Sequence, residues 1–173
     1  MSFVIHLAKE SFKFSSTHFT IFSETKAEKL HGHNYQVKCD IEIDQMDSKI
    51  GMAFDFNLLK PEIKALCDEI DEHILIASKS PFLKIKHLQG PKNSQDPQNS
   101  QDSIEVSFAH RRYVFPKEDC KELALVNITS EELARYFCES LWTRLLEKKL
   151  LPKFKSLQIS IEETRGQSVT YKK

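Results

Sequence analysis

The stretch "EKLHGHNY" at residues 28–35 runs directly into "NYQVKCDIEID" at 34–44. In that run Tyr35, Val37, Cys39, Ile41 and Ile43 are mostly apolar, and Asn34, Gln36, Lys38, Asp40 and Glu42 are polar. A period of two marks a strand with one buried face. Side chains two apart on a strand point the same way, so His31 and His33 stand side by side at the head of that face. Two imidazoles placed there can hold one ion or be satisfied core histidines. A third ligand decides.

The third ligand is sought upstream. Phe12, Phe14, Ser16 and His18 share one face of a second alternating run, with Lys13, Ser15 and Thr17 on the other. His18 therefore ends a strand on its apolar side, as His31 begins one. The connecting segment "FTIFSETKAEK" must turn the chain back, and it carries Glu24 and Glu28. If the two strands are neighbours, three imidazoles converge with an open fourth position, as expected of a catalytic zinc. Imidazole also suits copper, iron or nickel; zinc is the favoured reading.

The chain of 173 residues has the bulk of one domain, residues 1–173. Lys plus Arg equals Asp plus Glu at 25 each, so no basic excess points to nucleic acid. No apolar run approaches the length that spans a bilayer. The opening "MSFVIHLAKESFKF" carries charge too early and too little apolar length for a signal peptide. Cys39, Cys67, Cys120 and Cys138 are scattered without CxxC spacing, so reduced thiols in a cytoplasmic protein are expected.

In "GMAFDFNLLKPEIKALCDEIDEHIL" (51–75), Leu58, Leu59, Ile63, Leu66 and Ile70 form a helical stripe. Asn57 is the expected N-cap, which keeps Pro61 in the first turn. Asp68, Glu69, Asp71, Glu72 and His73 gather at the far end, as a solvated terminus or as an acid–base relay. An insertion over about 78–118 follows. Its "GPKNSQDPQNSQDS" is a loop repeating NSQD at 93–96 and 99–102, flanked by the strands "FLKIKHL" and "IEVSFAHRRYVF". "AHRR" reads as the tight connection of a hairpin. His110, Arg111 and Arg112 form either a phosphate site or a solvated turn.

The second helix lies in "NITSEELARYFCESLWTRLLEKKL" (127–150), where Thr129 and Glu132 make a capping box. Leu133, Phe137, Leu141 and Leu145 are its buried stripe, and Pro152 ends it. In the final strand, "FKSLQISIEET" (154–164), Glu163 continues the apolar face of Leu157, Ile159 and Ile161, whereas Glu162 is surface. A carboxylate facing a core needs a partner. The expected class is α+β: an antiparallel four-stranded sheet with both helices on one face, plus an inserted hairpin. Open sheet edges predict pairing between subunits.

With His18, twelve intervening residues, "HGHNY", then "GM", Asp55–Phe56 and the late Glu163–Thr164, the chain resembles the 6-pyruvoyl-tetrahydropterin synthase family. That family includes 6-carboxytetrahydropterin synthase of the queuosine pathway. The similarity runs over roughly residues 8–80 and 115–171. It implies a tunnelling fold assembled as a homohexamer of two stacked trimers, acting on 7,8-dihydroneopterin triphosphate. His18, His31 and His33 match the zinc ligands. Glu163 matches the pterin anchor, and Thr129 and Ser130 match residues that touch the pterin.

Two departures stand out. Where pyruvoyl- and carboxy-forming members carry a basic cysteine, this chain has Ala27. Glu28 instead matches a subgroup whose motif reads E-x-x-HGH and which cleaves the side chain to 6-hydroxymethyl-7,8-dihydropterin, a folate precursor. In the family's Asp-His pair, Asp71 falls on the aspartate and Glu72 on the histidine, with His73 one place late. The resemblance thus implies Glu28, Asp71 and His73 as catalytic residues of a zinc lyase, His73 serving if the loop shifts by one residue; otherwise the relay is altered, with Glu72 in the histidine's place. The alternatives are a 6-pyruvoyl- or 6-carboxy-forming synthase and a metal- and pterin-binding homologue without catalysis.

Overall fold

The structure, a computed structural model, describes residues 2–90, 101–149 and 154–173. Contacts gather the chain into two compact units. One comprises Met1–Ser15, His33–Asp71 and Thr129–Lys173, and the other Ser16–Gly32 and Glu72–Ile128. The division falls inside two continuous strands, β2 (Lys13–His18) and β3 (His31–Ile43).

In the first unit β3 is the spine. β1 (Phe3–Leu7) pairs antiparallel with its far half, Phe3 opposite Ile43 and Leu7 opposite Cys39. β9 (Ser156–Thr164) pairs antiparallel along its other edge, Gln36 opposite Glu162 and Cys39 opposite Ile159. β10 (Gln167–Lys172) returns on β9 through a turn in which Gly166 takes φ 86°, a left-handed value that glycine adopts without steric penalty.

The expected alternation holds on both sides of the β3–β9 ladder. Tyr35, Val37, Cys39, Ile41 and Ile43 are buried, as are Leu157, Ile159 and Ile161. α2 (Ser130–Glu147) lays Leu133, Phe137, Leu141 and Leu145 into the same core and packs on β9 and β10. α1 (Lys60–Asp68), which buries Ile63 and Leu66, packs on α2. Phe14 stacks on Tyr35 at 4.7 Å and on Phe137 at 5.4 Å, tying β2, β3 and α2 together. The opposite face of the ladder is charged, with Lys38 on Glu162 at 2.7 Å and His6 on Asp40 at 2.7 Å.

The N-cap half of the expected box forms, the Thr129 hydroxyl accepting from the Glu132 N–H at 3.3 Å, while the Glu132 carboxylate binds Arg135 at 2.7 Å. The expected cap of α1 does not form. Asp55, not Asn57, accepts the Asn57 N–H at 2.8 Å and opens a short 3-10 turn, and α1 then starts at Lys60 without a side-chain cap. Leu59, Ile63, Leu66 and Ile70 are buried but Leu58 is exposed, because it lies on the preceding turn, off the helical stripe.

In the second unit β4 (His73–Ala77) runs parallel to the end of β2, Ser16 opposite His73, and parallel to β8 (Cys120–Leu123), Ile74 opposite Cys120. β5 (Lys84–Leu88), β6 (Ser103–Phe108) and β7 (Arg111–Pro116) form a separate antiparallel sheet in that order. The expected hairpin is β6–β7, turned at Ala109 with φ 48°, and β5 adds a third strand. Residues 91–100, which carry most of the repeated NSQD tract, and Pro152 lie outside the described residues.

The four-stranded, wholly antiparallel sheet is corrected. The large sheet has seven strands in the order β10-β9-β3-β2-β4-β8, with β1 also on β3, and it includes two parallel pairings. β4 escaped the sequence pattern because "HILIA" is apolar at every position after His73 and shows no period of two, as interior parallel strands do.

Candidate active site

His18, at the end of β2, is 1% exposed, and its Nδ1 lies 3.1 Å from the Ile128 carbonyl. His31, at the head of β3, has Nδ1 2.8 Å from the Lys29 carbonyl. A carbonyl can only accept, so each Nδ1 donates to it and Nε2 is the ring nitrogen left to face a metal. Backbone carbonyls holding the second ring nitrogen are the usual way a metal-ligating histidine is oriented. The two rings lie 4.9 Å apart between centroids. His33 follows two residues along β3, on the side of the strand that His31 occupies. Ring nitrogens of His18, His31 and His33 all fall within 4.8 Å of one another. Three imidazoles so arranged fit a divalent metal.

Glu28 sits in the segment that joins β2 to β3. Its Oε2 accepts the Thr20 N–H at 3.1 Å, and its own N–H donates to the Thr20 carbonyl at 2.9 Å. The carboxylate reaches within 3.9 Å of His31 Nε2. Partial burial raises its pKa, but hydrogen bonds from Thr20 and the nearby His31 and His18 imidazoles outweigh that. They hold the carboxyl below the ordinary carboxylate range.

Glu163, near the end of β9, is half-buried and faces inward as its strand position predicts. Oε1 accepts from the Tyr35 hydroxyl at 3.1 Å and lies 3.3 Å from His33 Nε2. Oε2 accepts from the Ser130 hydroxyl at 2.9 Å. Ser130 is thus directed at the carboxylate, while the neighbouring Thr129 hydroxyl is engaged in capping α2.

The family model described as 6-pyruvoyl tetrahydropterin synthase matches residues 6–173. The chain belongs to the 6-pyruvoyl tetrahydropterin synthase family. It is 27% identical to a putative 6-carboxy-5,6,7,8-tetrahydropterin synthase of Methanocaldococcus jannaschii, over 93% of this chain and 90% of that protein. To the 6-carboxy-5,6,7,8-tetrahydropterin synthase of Aquifex aeolicus it is 28% identical, over 85% and 76%. The solved 6-pyruvoyl tetrahydropterin synthase of Plasmodium falciparum superposes with a TM-score of 0.82 at 25% identity, covering 99% of this chain and 98% of that one. The Plasmodium vivax enzyme shares the fold, with a TM-score of 0.84 at 22% identity over 100% and 98%. The fold is the tunnelling fold of these synthases.

In this member of the 6-pyruvoyl tetrahydropterin synthase family the turn after α1 is informative. Asp71 Oδ1 accepts the Ser15 N–H at 2.7 Å. Glu72 takes a left-handed φ of 59° and is exposed, and His73 becomes the first residue of β4. Paired residues of a parallel ladder project to one side, and His73 pairs with Ser16, two residues before His18 on β2. The backbone therefore puts His73, not Glu72, on the face that carries His18.

Three site features were not foreseen. Tyr35 was read only as core, although its place two residues after His33 was signal enough. Asn127 grips the Glu28 segment, accepting the Ile21 N–H at 3.1 Å and donating to the Ile21 carbonyl at 2.9 Å. Nothing local in the sequence links residues so distant. Neither arginine of the "AHRR" turn is disposed as an open phosphate site: Arg112 binds Glu105 at 2.6 Å, and Arg111 donates to backbone carbonyls of the Glu28 segment.

Proposed function

We propose that this chain is a zinc-dependent lyase that cleaves the side chain of 7,8-dihydroneopterin triphosphate to give 6-hydroxymethyl-7,8-dihydropterin. It would work in the cytoplasm as a homohexamer of two stacked trimers. The observation that carries this reading is the Glu28 carboxylate beside His31, with Ala27 where a catalytic cysteine would stand. All four cysteines are committed elsewhere: Cys39 in β3, Cys67 in α1, Cys120 in β8 and Cys138 in α2. Burial pushes the Cys67 thiol up to about 12 and those of Cys120 and Cys138 to about 11, which suits none of them to act as a base near neutrality.

Zinc held by His18, His31 and His33 would supply Lewis-acid polarisation of the side-chain hydroxyls. Glu163 accepts paired hydrogen bonds from the N–C–N edge of the pterin, in the manner of a guanidinium fork, with Thr129 and Ser130 beside it. Glu28 takes the proton from the hydroxyl on the second side-chain carbon. The bond between the first and second carbons then breaks, its electron pair passing into the ring imine, and the departing fragment leaves as an aldehyde. Asp71 and His73 return a proton to the first carbon. Base catalysis of this kind supplies about 10²–10⁴-fold.

The names of the M. jannaschii and A. aeolicus relatives favour a second reading, formation of 6-carboxytetrahydropterin. Incubating the purified protein with 7,8-dihydroneopterin triphosphate and identifying the products by mass spectrometry separates the two. Hydroxymethylpterin supports side-chain cleavage. A 6-carboxy or 6-pyruvoyl product overturns it, and unchanged substrate marks a binding protein without catalysis.

A further inference from the structure

Arg111 opens β7, immediately after the Ala109–His110 turn of the inserted sheet. Its Nη2 donates to the Ala27 carbonyl at 3.1 Å and its Nη1 to the Glu28 carbonyl. One planar guanidinium thus grips two successive carbonyls, a fork that a lysine ammonium does not reproduce. The same sheet braces the segment by packing. Phe108 and Tyr113 lie against Phe19 at 6.1 and 5.7 Å between ring centroids, in a cluster that includes Ile21, Ala27 and Leu30.

We propose that Arg111 is a positioning residue, through which the inserted sheet fixes the backbone at Ala27 and Glu28 and so aims the Glu28 carboxylate. This rests on the reading of Glu28 as the base. Thr20 restrains the carboxylate at its head; Arg111 restrains it at its root. A catalytic group displaced by about 1 Å loses on the order of 100-fold in rate, so the backbone under a flexible glutamate matters as much as its terminal hydrogen bond.

The test compares Arg111→Ala, Arg111→Lys, Glu28→Ala and the Arg111→Ala/Glu28→Ala double variant in the full chain. With 7,8-dihydroneopterin triphosphate, Arg111→Ala lowers kcat about 10–100-fold, leaving KM and zinc per chain unchanged. Arg111→Lys recovers part of the loss. The double variant is no slower than Glu28→Ala, because one residue acts through the other. Additive losses, or a fall in zinc content matching the fall in kcat, overturn the proposal.

Hydrogen exchange reads the same point without catalysis. The amides of residues 26–29 exchange about 10-fold faster in Arg111→Ala while those of α2 do not change. Unchanged exchange there, with an inactive Glu28→Ala, overturns the Arg111 role alone. Full turnover in Glu28→Ala overturns the base and its positioning residue together.

Discussion

The Tyr35 hydroxyl donates to Glu163 Oε1 at 3.1 Å, across the junction of β3 and β9. The ring of Tyr35 is stacked on Phe14 in the core, so a packed aromatic delivers a polar group to the inward-facing carboxylate. Ser130 donates to the other oxygen. Glu163 is thereby held in one orientation before any ligand arrives.

Replacing Glu163 with glutamine keeps the size and removes the charge. Hydrogen bonds to a charged group contribute about 1.5–3 kcal/mol, so pterin affinity falls roughly 10–100-fold. Tyr35→Phe loses less, about 1 kcal/mol or roughly fivefold. Fluorescence titration with a pterin measures both. Wild-type affinity in Glu163→Gln removes Glu163 from the binding site.

Glu28→Ala is expected to keep zinc and pterin binding and to lose about 10²–10⁴-fold in kcat. Steady-state kinetics with metal analysis on the same sample checks this. Loss of metal in proportion to activity would reassign Glu28 to maintaining the zinc site.

Zinc binding to the folded chain raises its stability by about 2.7 kcal/mol when free metal is a hundred times Kd. A chelator reverses the gain, and His31→Ala abolishes it. Thermal unfolding with and without added zinc is the measurement. An intact chain that melts at the same temperature under both conditions contradicts a three-histidine metal site.

Glu105 on β6 accepts from Arg112 Nε at 2.8 Å and from Lys86 Nζ at 3.4 Å. Arg112 chiefly, then Lys86, holds its carboxyl below the ordinary range despite desolvation. A pKa lower in the folded chain than in the unfolded one, near ~4.3, gives stability that is present above the unfolded value. That stability is lost as the pH falls through the folded value. In Glu105→Gln the stability–pH curve is therefore flatter below about pH 4. Urea midpoints across that range test it; two superimposable curves would deny the linkage.

Phe137 of α2 is fully buried and stacks on Phe14. Phe137→Ala is expected to destabilise by about 3–5 kcal/mol, whereas Thr129→Ala, which removes only the cap, costs about 1 kcal/mol. Denaturant titration ranks them. A larger loss at Thr129 would mean that its hydroxyl does more than start the helix.

The sequence by itself determined which residues face inward on β2, β3 and β9, because a strand's side chains alternate whatever surrounds it. That rule alone aligned His31 with His33, put His18 on the apolar side of its strand and separated Glu163 from Glu162. The N-cap of α2 was legible because its acceptor and donor, Thr129 and Glu132, are three residues apart. Tertiary structure decided what depends on chain segments meeting. It made β4 a parallel partner of β2, which places His73 rather than Glu72 on the face of His18. It also turned Arg111 from a surface charge into a clamp on Ala27 and Glu28. Those outcomes follow from hydrogen-bond register and packing between segments tens of residues apart, which no local period records.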